Sequence, residues 1–334
     1  MYELDIVEID YLVREGVSLR ARLYIPRGDG PFPAYVDAHG GAWVKGSYAG
    51  TDPINRIVAA GGVVIMAVGY TLPPNGTYPA SVADLNYAVR WLKLNAAQYK
   101  TRPAMVGLMG TSAGGHLAVL AGIKPRDKRY AALPLIGGER INASVSSIIA
   151  LWPVICPYTR MIENKERQAR GDTSMAHRNG GGFAQMAYWL TDEAMIDGSP
   201  MLALERGDKV DTPDILYIQA VGGVLHAVHN MDRFIAGYRR AGGSVETELL
   251  EGDEHDQLRS DPGRTSSPTP LTTSSVLPMG NGERKPAPPE QTHATKSNLS
   301  TSNRPRSVIF KCGMTGNARN DTCRNGSGNM QPRS

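Results

Sequence analysis

The sequence predicts an α/β fold: a mostly parallel central sheet with helices on both faces and a site at the carboxyl ends of its strands. Three observations lead there. Short runs at residues 62–68 and 215–221, apolar but for Gln219, read as strands buried on both faces, as strands of a parallel sheet are. Between such runs stand stretches with apolar residues at helical spacing, for example Val82, Leu85, Val89, Leu92 and Ala96. A chain of 334 residues that is 41% hydrophobic can also bury a substantial core.

Taken in order, residues 3–14 and 18–25 alternate apolar and polar side chains (Leu4, Ile6, Ile9, Leu12; then Leu19, Ala21, Leu23, Ile25), which predicts an antiparallel pair turning at Glu15-Gly16. Residues 34–38 form a short strand ending at His39-Gly40-Gly41-Ala42-Trp43. Residues 54–60 suggest a short helix, 62–68 a buried strand, and the segment from Pro79 a longer helix, with Pro103 punctuating before the strand at 105–109. Behind that strand, Ala113, Leu117, Leu120 and Ala121 give helical spacing. Residues 144–151 are a strand ended by Pro153 and Pro157. Residues 158–200 are polar and glycine-rich, then helical over 183–195; an insertion there would lie over the strand ends as a partial lid. Its Met186 and Trp189, with Trp43 and Tyr70, are candidate substrate-binding residues, and packing of one amphipathic helix on the core explains them equally well. Residues 215–221 are a further strand. A helix follows with Met231, Phe234, Ile235 and Tyr238 on one face and Gly242-Gly243 as its stop, and Val245, Thr247 and Leu249 then alternate as a last strand.

Beyond about Ser260 the composition shifts to Ser, Thr, Pro, Asn, Gly and Arg, which predicts a disordered tail at 260–334 after a domain at 1–259. The tail carries a net charge of +6 and leaves the body at −2. The basic excess therefore belongs to the tail, and the body offers no basic helix or aromatic-basic alternation for nucleic acid. No apolar run is long enough to span a membrane, and MYELDIVEIDYLV lacks the features of a secretory leader, so a cytoplasmic protein is expected. Cys156, Cys312 and Cys323 form neither a disulfide framework nor a zinc ligand set.

The chemistry gathers at Gly110-Thr111-Ser112-Ala113-Gly114, which fits G-x-S-x-G at a strand-to-helix turn. Glycines two before and two after the serine let strand and helix approach closely, so that the hydroxyl projects above the sheet. A serine hydroxyl needs a base. His255, after the last strand, is the best candidate on chain order; His116 lies too near Ser112 along the helix, and His226 and His229 precede or open one. Backbone N–H groups of Gly40, Gly41 and Ala113 are the expected oxyanion donors, since paired glycines allow the approach of a developing anion.

HGGAW at 39–43, Gly69-Tyr70-Thr71-Leu72-Pro73, Pro79 with Asp84, and GTSAGGH at 110–116 resemble the esterase/lipase group of the α/β-hydrolase superfamily, in the branch related to hormone-sensitive lipase and kynurenine formamidase. The resemblance runs from about residue 5 to 256. It implies a carboxylic-ester hydrolase acting on short acyl esters through an acyl-enzyme, with Ser112 as nucleophile, His255 as base and Gly40, Gly41 and Ala113 as oxyanion hole. It implies a small-molecule ester substrate, neither metal nor organic cofactor, and neither nucleic acid nor membrane as partner; a homodimer stays open. An arylformamidase or amidase, or a hydrolase fold retained for binding, are the alternatives. In that group the triad acid stands in a stretch like G-T-x-D-x-x-H-P, whereas here Gly223 takes the acid's place in Ala220–His226, leaving the acid's identity open.

Overall fold

The first two strands pair as their alternation requires, with one irregularity that the alternation conceals. β1 (Leu4–Arg14) and β2 (Val17–Pro26) are antiparallel, and their register slips between Asp10 and Leu12, so that Tyr11 is an extra residue on β1. Such a bulge turns two successive side chains to the same side. Tyr11 and Leu12 are accordingly both buried, and the Tyr11 hydroxyl donates to the Gly69 carbonyl at 2.8 Å.

The computed structural model describes residues 1–14, 16–172, 184–222 and 226–252, all within a single compact unit. Gly223, His255 and the tail beyond Ser260 lie outside the described residues. After β2 come β3 (Ala34–Ala38), β4 (Val64–Val68), β5 (Val106–Thr111), β6 (Ser147–Leu151), β7 (Asp214–Ala220) and β8 (Val245–Leu250). The eight strands form one sheet in the order β1-β2-β4-β3-β5-β6-β7-β8. β2 joins β4 antiparallel, and every later pairing is parallel. β5 is therefore flanked by β3 and β6 well inside the sheet, where its carboxyl end is walled by both neighbours.

Period-two alternation divides the core between the two faces. Val36, Met66 and Leu108 point to the face covered by α2 (Ala80–Leu94) and α3 (Ala113–Ile123), and Tyr35, Ile65 and Ala67 point to the face of α1 (Asp52–Ala60), where Val58 and Ala59 pack on them. β8 departs from the expected alternation. Val245 is buried on one face and Leu250 on the other, while Leu249 is 55% exposed, as suits a strand at the end of the sheet's order.

The segment after β6 differs most from expectation. Pro157 opens a helix as well as ending the extended chain: α4 (Pro157–Ala169) carries proline in its first turn, where the missing N–H costs nothing, and the Cys156 sulfur accepts from Thr159 N. The helix expected over 183–195 is two short ones, α5 (Met186–Trp189) and α6 (Asp192–Asp197), separated at Leu190, whose φ is 62°. Thr191 caps α6 through a bond from Ala194 N, and Ser199 caps α7 (Pro200–Glu205) through Leu202 N. α8 (Val228–Arg240) buries Met231, Phe234, Ile235 and Tyr238 and ends before Gly242 at φ 85°, as expected. No helix among the described residues is long and apolar enough to cross a membrane.

Candidate active site

Two loops at neighbouring strand ends build one half of the site. Ser112 stands between β5 and α3 with φ 55° and ψ −115°, a region a non-glycine residue occupies only under strain, at a cost of about 1–3 kcal/mol. Its backbone is bolted in place: Ser112 N donates to Leu151 O at 2.9 Å, and its carbonyl accepts from His116 N at 3.0 Å and Val154 N at 3.2 Å. The glycines around it have the reason the pattern suggested. A Cβ on Gly114 would overlap the carbonyl oxygens of Ala38 and His39, and one on Gly110 would overlap Gly114 O. Helix, nucleophile strand and β3 thus meet at backbone contact. Ala113 and Gly114 are the first residues of α3, whose leading N–H groups have no intrahelical partner and carry the positive end of the helix dipole.

The His39–Trp43 loop lies against this turn. A Cβ on Gly40 would stand 3.4 Å from Ser112 Cβ, so the glycine backbone borders the serine directly. Gly41 has φ 126° and no room for a side chain against Lys45 O, while Val44 and Lys45 both donate to Gly41 O at 3.1 Å. Ala42 and Trp43 also hold positive φ, 53° and 63°. Beneath the loop, His39 is buried; its Nδ1–H donates to Gly40 O at 2.7 Å, and its ring stacks on Tyr70 at 4.2 Å. Burial lowers the His39 pKa to about 4, keeping the ring neutral. The Tyr70 hydroxyl donates to His39 O at 2.7 Å, and Thr71 N to Asp84 at 2.8 Å. Two residues before His39, Asp37 is fully buried with Thr51 and Asn55 donating to its Oδ2 at 2.7 and 2.8 Å; burial raises its pKa to about 6 against those bonds.

The other half comes from the loop after β7. His226 Nε2 lies 3.1 Å from Ser112 Oγ, within hydrogen-bond reach, and Gln219 Nε2 donates to the His226 carbonyl at 3.0 Å. His226 also borders a small open cleft between the β6–α4 segment and the start of α8, with Cys156, Arg160, Glu163 and Asn230 among its walls. His229, one turn of chain further, bonds Glu163 at 2.8 Å on the surface. Sequence reasoning set His226 aside as a residue preceding a helix, which it does. The signal that points to it is positional: it follows a strand whose carboxyl end opens on the same edge of the sheet as Ser112. His255, the base expected from chain order, lies outside the described residues, as does Gly223.

The four aromatic and methionine candidates for substrate contact are placed inward. Trp43, Tyr70 and Trp189 are each at most 4% exposed, and Trp43 packs against His116, Tyr188 and Trp189 with ring centroids 5.2–6.2 Å apart. Met186 is partly buried against the same cluster. Among the described residues no group of three His, Cys, Asp or Glu could hold a metal ion.

The chain is similar to known esterases in sequence and fold. The BD-FAE family model matches residues 22–169. Esterase LipC of Mycobacterium tuberculosis is 33% identical over 125 residues, which are 36% of this chain and 30% of that protein. The chain thus spans about a third of the length of the curated relatives it matches. Among solved structures, a hyperthermophilic esterase from the archaeon Pyrobaculum calidifontis superposes with a TM-score of 0.60 at 22% identity, over 77% of this chain and 78% of that one. A butyrate-bound thermophilic esterase from Thermogutta terrifontis gives 0.56 at 22% identity, over 76% and 84%. With its single antiparallel intruder β2, its parallel remainder and the serine turn at the end of β5, the chain has the α/β-hydrolase fold, and its sequence likeness is to esterases.

Proposed function

We propose that the chain is a serine carboxylic-ester hydrolase acting on short acyl esters, with Ser112 as nucleophile and His226 as the base that takes its proton. The observation that carries this reading is the strained, glycine-framed Ser112 with its Oγ 3.1 Å from His226 Nε2. Ser112 Oγ attacks the ester carbonyl and passes its proton to His226; the carbonyl oxygen becomes an anion held by N–H groups of Gly40, Gly41 and Ala113. Collapse expels the alcohol, which recovers the proton from His226, and leaves an acyl-serine. Water, deprotonated by the same imidazole, hydrolyses it and regenerates the hydroxyl. Short acyl chains suit the inward packing of Trp43, Tyr70 and Trp189, and a butyrate-bound esterase stands among the fold neighbours. A small-molecule ester is the substrate.

Turnover of p-nitrophenyl acetate and butyrate by the full chain tests this, beside Ser112→Ala, His226→Ala and His255→Ala. Ser112→Ala is expected to be silent, and His226→Ala to lose roughly 10³-fold or more, by analogy with base removal in other serine hydrolases. An unaffected His226→Ala with a silent His255→Ala would move the base to His255 and leave the nucleophile standing. An active Ser112→Ala would overturn the reading.

A further inference from the structure

One buried histidine has no part in the mechanism above and yet touches three of the elements that build the site. His116 lies on α3 one turn beyond Ser112 and is fully buried. Its own N–H donates to Ser112 O, so its position is tied to the nucleophile's backbone. Its ring joins two further segments. Trp43 Nε1 lies 3.2 Å from His116 Nδ1, and His116 Nε2 lies 2.8 Å from the carbonyl of Gly198, the residue that ends α6.

The chemistry of these partners admits one form of the ring. An indole N–H only donates, so Nδ1 must be the acceptor, and a carbonyl only accepts, so Nε2 must carry the proton. The neutral Nε2–H tautomer satisfies both bonds, whereas a protonated ring would set an Nδ1–H against the indole N–H. Burial agrees, lowering the His116 pKa to about 4. Neither partner has slack: Trp43 is completely buried and holds φ 63°, and a Cβ on Gly198 would overlap the Trp189 ring. Tyr78 N donates to Tyr188 O at 3.1 Å, and the Tyr78 hydroxyl to Asp197 at 2.6 Å, so the segment that Gly198 ends is also held against the body.

We propose that His116 is a positioning residue: by accepting from Trp43 and donating to Gly198, it holds the loop that presents Gly40 and Gly41, together with the α5–α6 segment, in register with the helix that carries Ser112. The proposal rests on the esterase reading, and its effect lies in the oxyanion donors, not in the nucleophile. Trp43 stands two residues beyond Gly41 in a loop of three successive positive φ values, so freeing the indole frees the donors. A displacement of about 1 Å at such a site can cost ~10²-fold in rate.

The test compares His116→Leu, His116→Asn and Trp43→Phe in the full chain, with turnover referred to sites titrated by a fluorophosphonate. The expected result for His116→Leu is a kcat on p-nitrophenyl butyrate lower by roughly 10- to 100-fold with KM changed less than about 3-fold, and a trifluoromethyl ketone bound more weakly in proportion to the loss in kcat/KM. His116→Asn, which keeps an acceptor and a donor, should recover part of kcat. Trp43→Phe, which removes only the indole donor, should act in the same direction and add little to His116→Leu; it stands in if His116→Leu does not fold. Nitrogen-15 spectra of the parent should show His116 as the neutral Nε2–H tautomer, whatever the activity. An Nδ1–H tautomer, or variants that lower thermal stability while kcat and ketone affinity per titrated site stay at the parent's values, would overturn the proposal. A parent that neither labels nor turns over ester would sink the esterase reading before any variant is made, and the positioning role with it, while the tautomer still reports on the linkage.

Discussion

The two halves of the site are held by different means. Around Ser112, Gly40 and Gly114 the chain is fixed by backbone: glycines stand where a Cβ would strike a carbonyl oxygen, and positive φ at Gly41, Ala42, Trp43 and Ser112 leaves the loops few alternatives. Around His226 the geometry rests on a side chain extended from the loop after β7, where Gln219 donates to its carbonyl and its Nε2 reaches Ser112 Oγ. A backbone-built half tolerates no added atom and loses the fold when one is forced in. A side-chain-built half can lose its functional group and keep the fold.

The largest effect should come from Gly114→Ala. Its Cβ would overlap Ala38 O and His39 O, with no flexible atom to yield, and we expect too little folded protein for a cooperative melt, a loss in the exceptional range above about 4 kcal/mol. A normal melting curve would show that the helix can back away from β3 and that the backbone half is softer than described. Next, His226→Ala should keep the parent's circular dichroism and melting temperature within a few degrees while ester turnover collapses. A variant that unfolds instead would erase the distinction between the halves.

Asp37 sharpens the comparison from beneath the backbone half. Burial raises its pKa from 3.8 to about 6, so the folded chain binds this proton more tightly than the unfolded one. The stabilisation it contributes is whole below about pH 4 and is lost as pH rises through about 6, on the order of 3 kcal/mol by linkage. Asp37→Asn should therefore gain on the parent in thermal stability as pH increases across that window. Parallel profiles for the two proteins would contradict the buried-carboxylate account. The smallest effect belongs to Gly16→Ala: φ is 69° but nothing lies within 4 Å of the added atom, so only backbone strain of roughly 1–2 kcal/mol is expected in a denaturant titration. Set beside Gly114, it separates strain from collision.

The same contrast explains what was legible in the sequence. The parallel strands at 34–38, 64–68 and 214–220 declared themselves because strands buried on both faces are apolar over most of their length, Asp37 and Gln219 being buried exceptions. The serine turn and the His39–Trp43 loop were readable because glycine at a fixed spacing has few uses other than close approach. What could not be read depends on contacts between distant segments. α4 hides in a polar stretch because only one side is buried, at Met161 and Asn164, and the break at Leu190 is set by how Trp189 seats against Trp43 and Tyr78. The bulge at Tyr11 is fixed by the pairing with β2, where Asp10 faces Arg20 and Leu12 faces Leu19. His226 could be placed at Ser112 only through the strand order, since 114 residues separate them in the chain. Trp43 and Trp189, candidates for a pocket wall on composition, pack around His116 instead.

The central claim is an activated serine at position 112, and its most direct test is mass-spectrometric mapping of a fluorophosphonate adduct on the full chain at neutral pH. The account predicts the adduct on the peptide containing Ser112, formed rapidly by the parent and far more slowly by His226→Ala. An unlabelled Ser112 would contradict the nucleophile, and labelling equally fast without His226 would contradict the pairing that activates it.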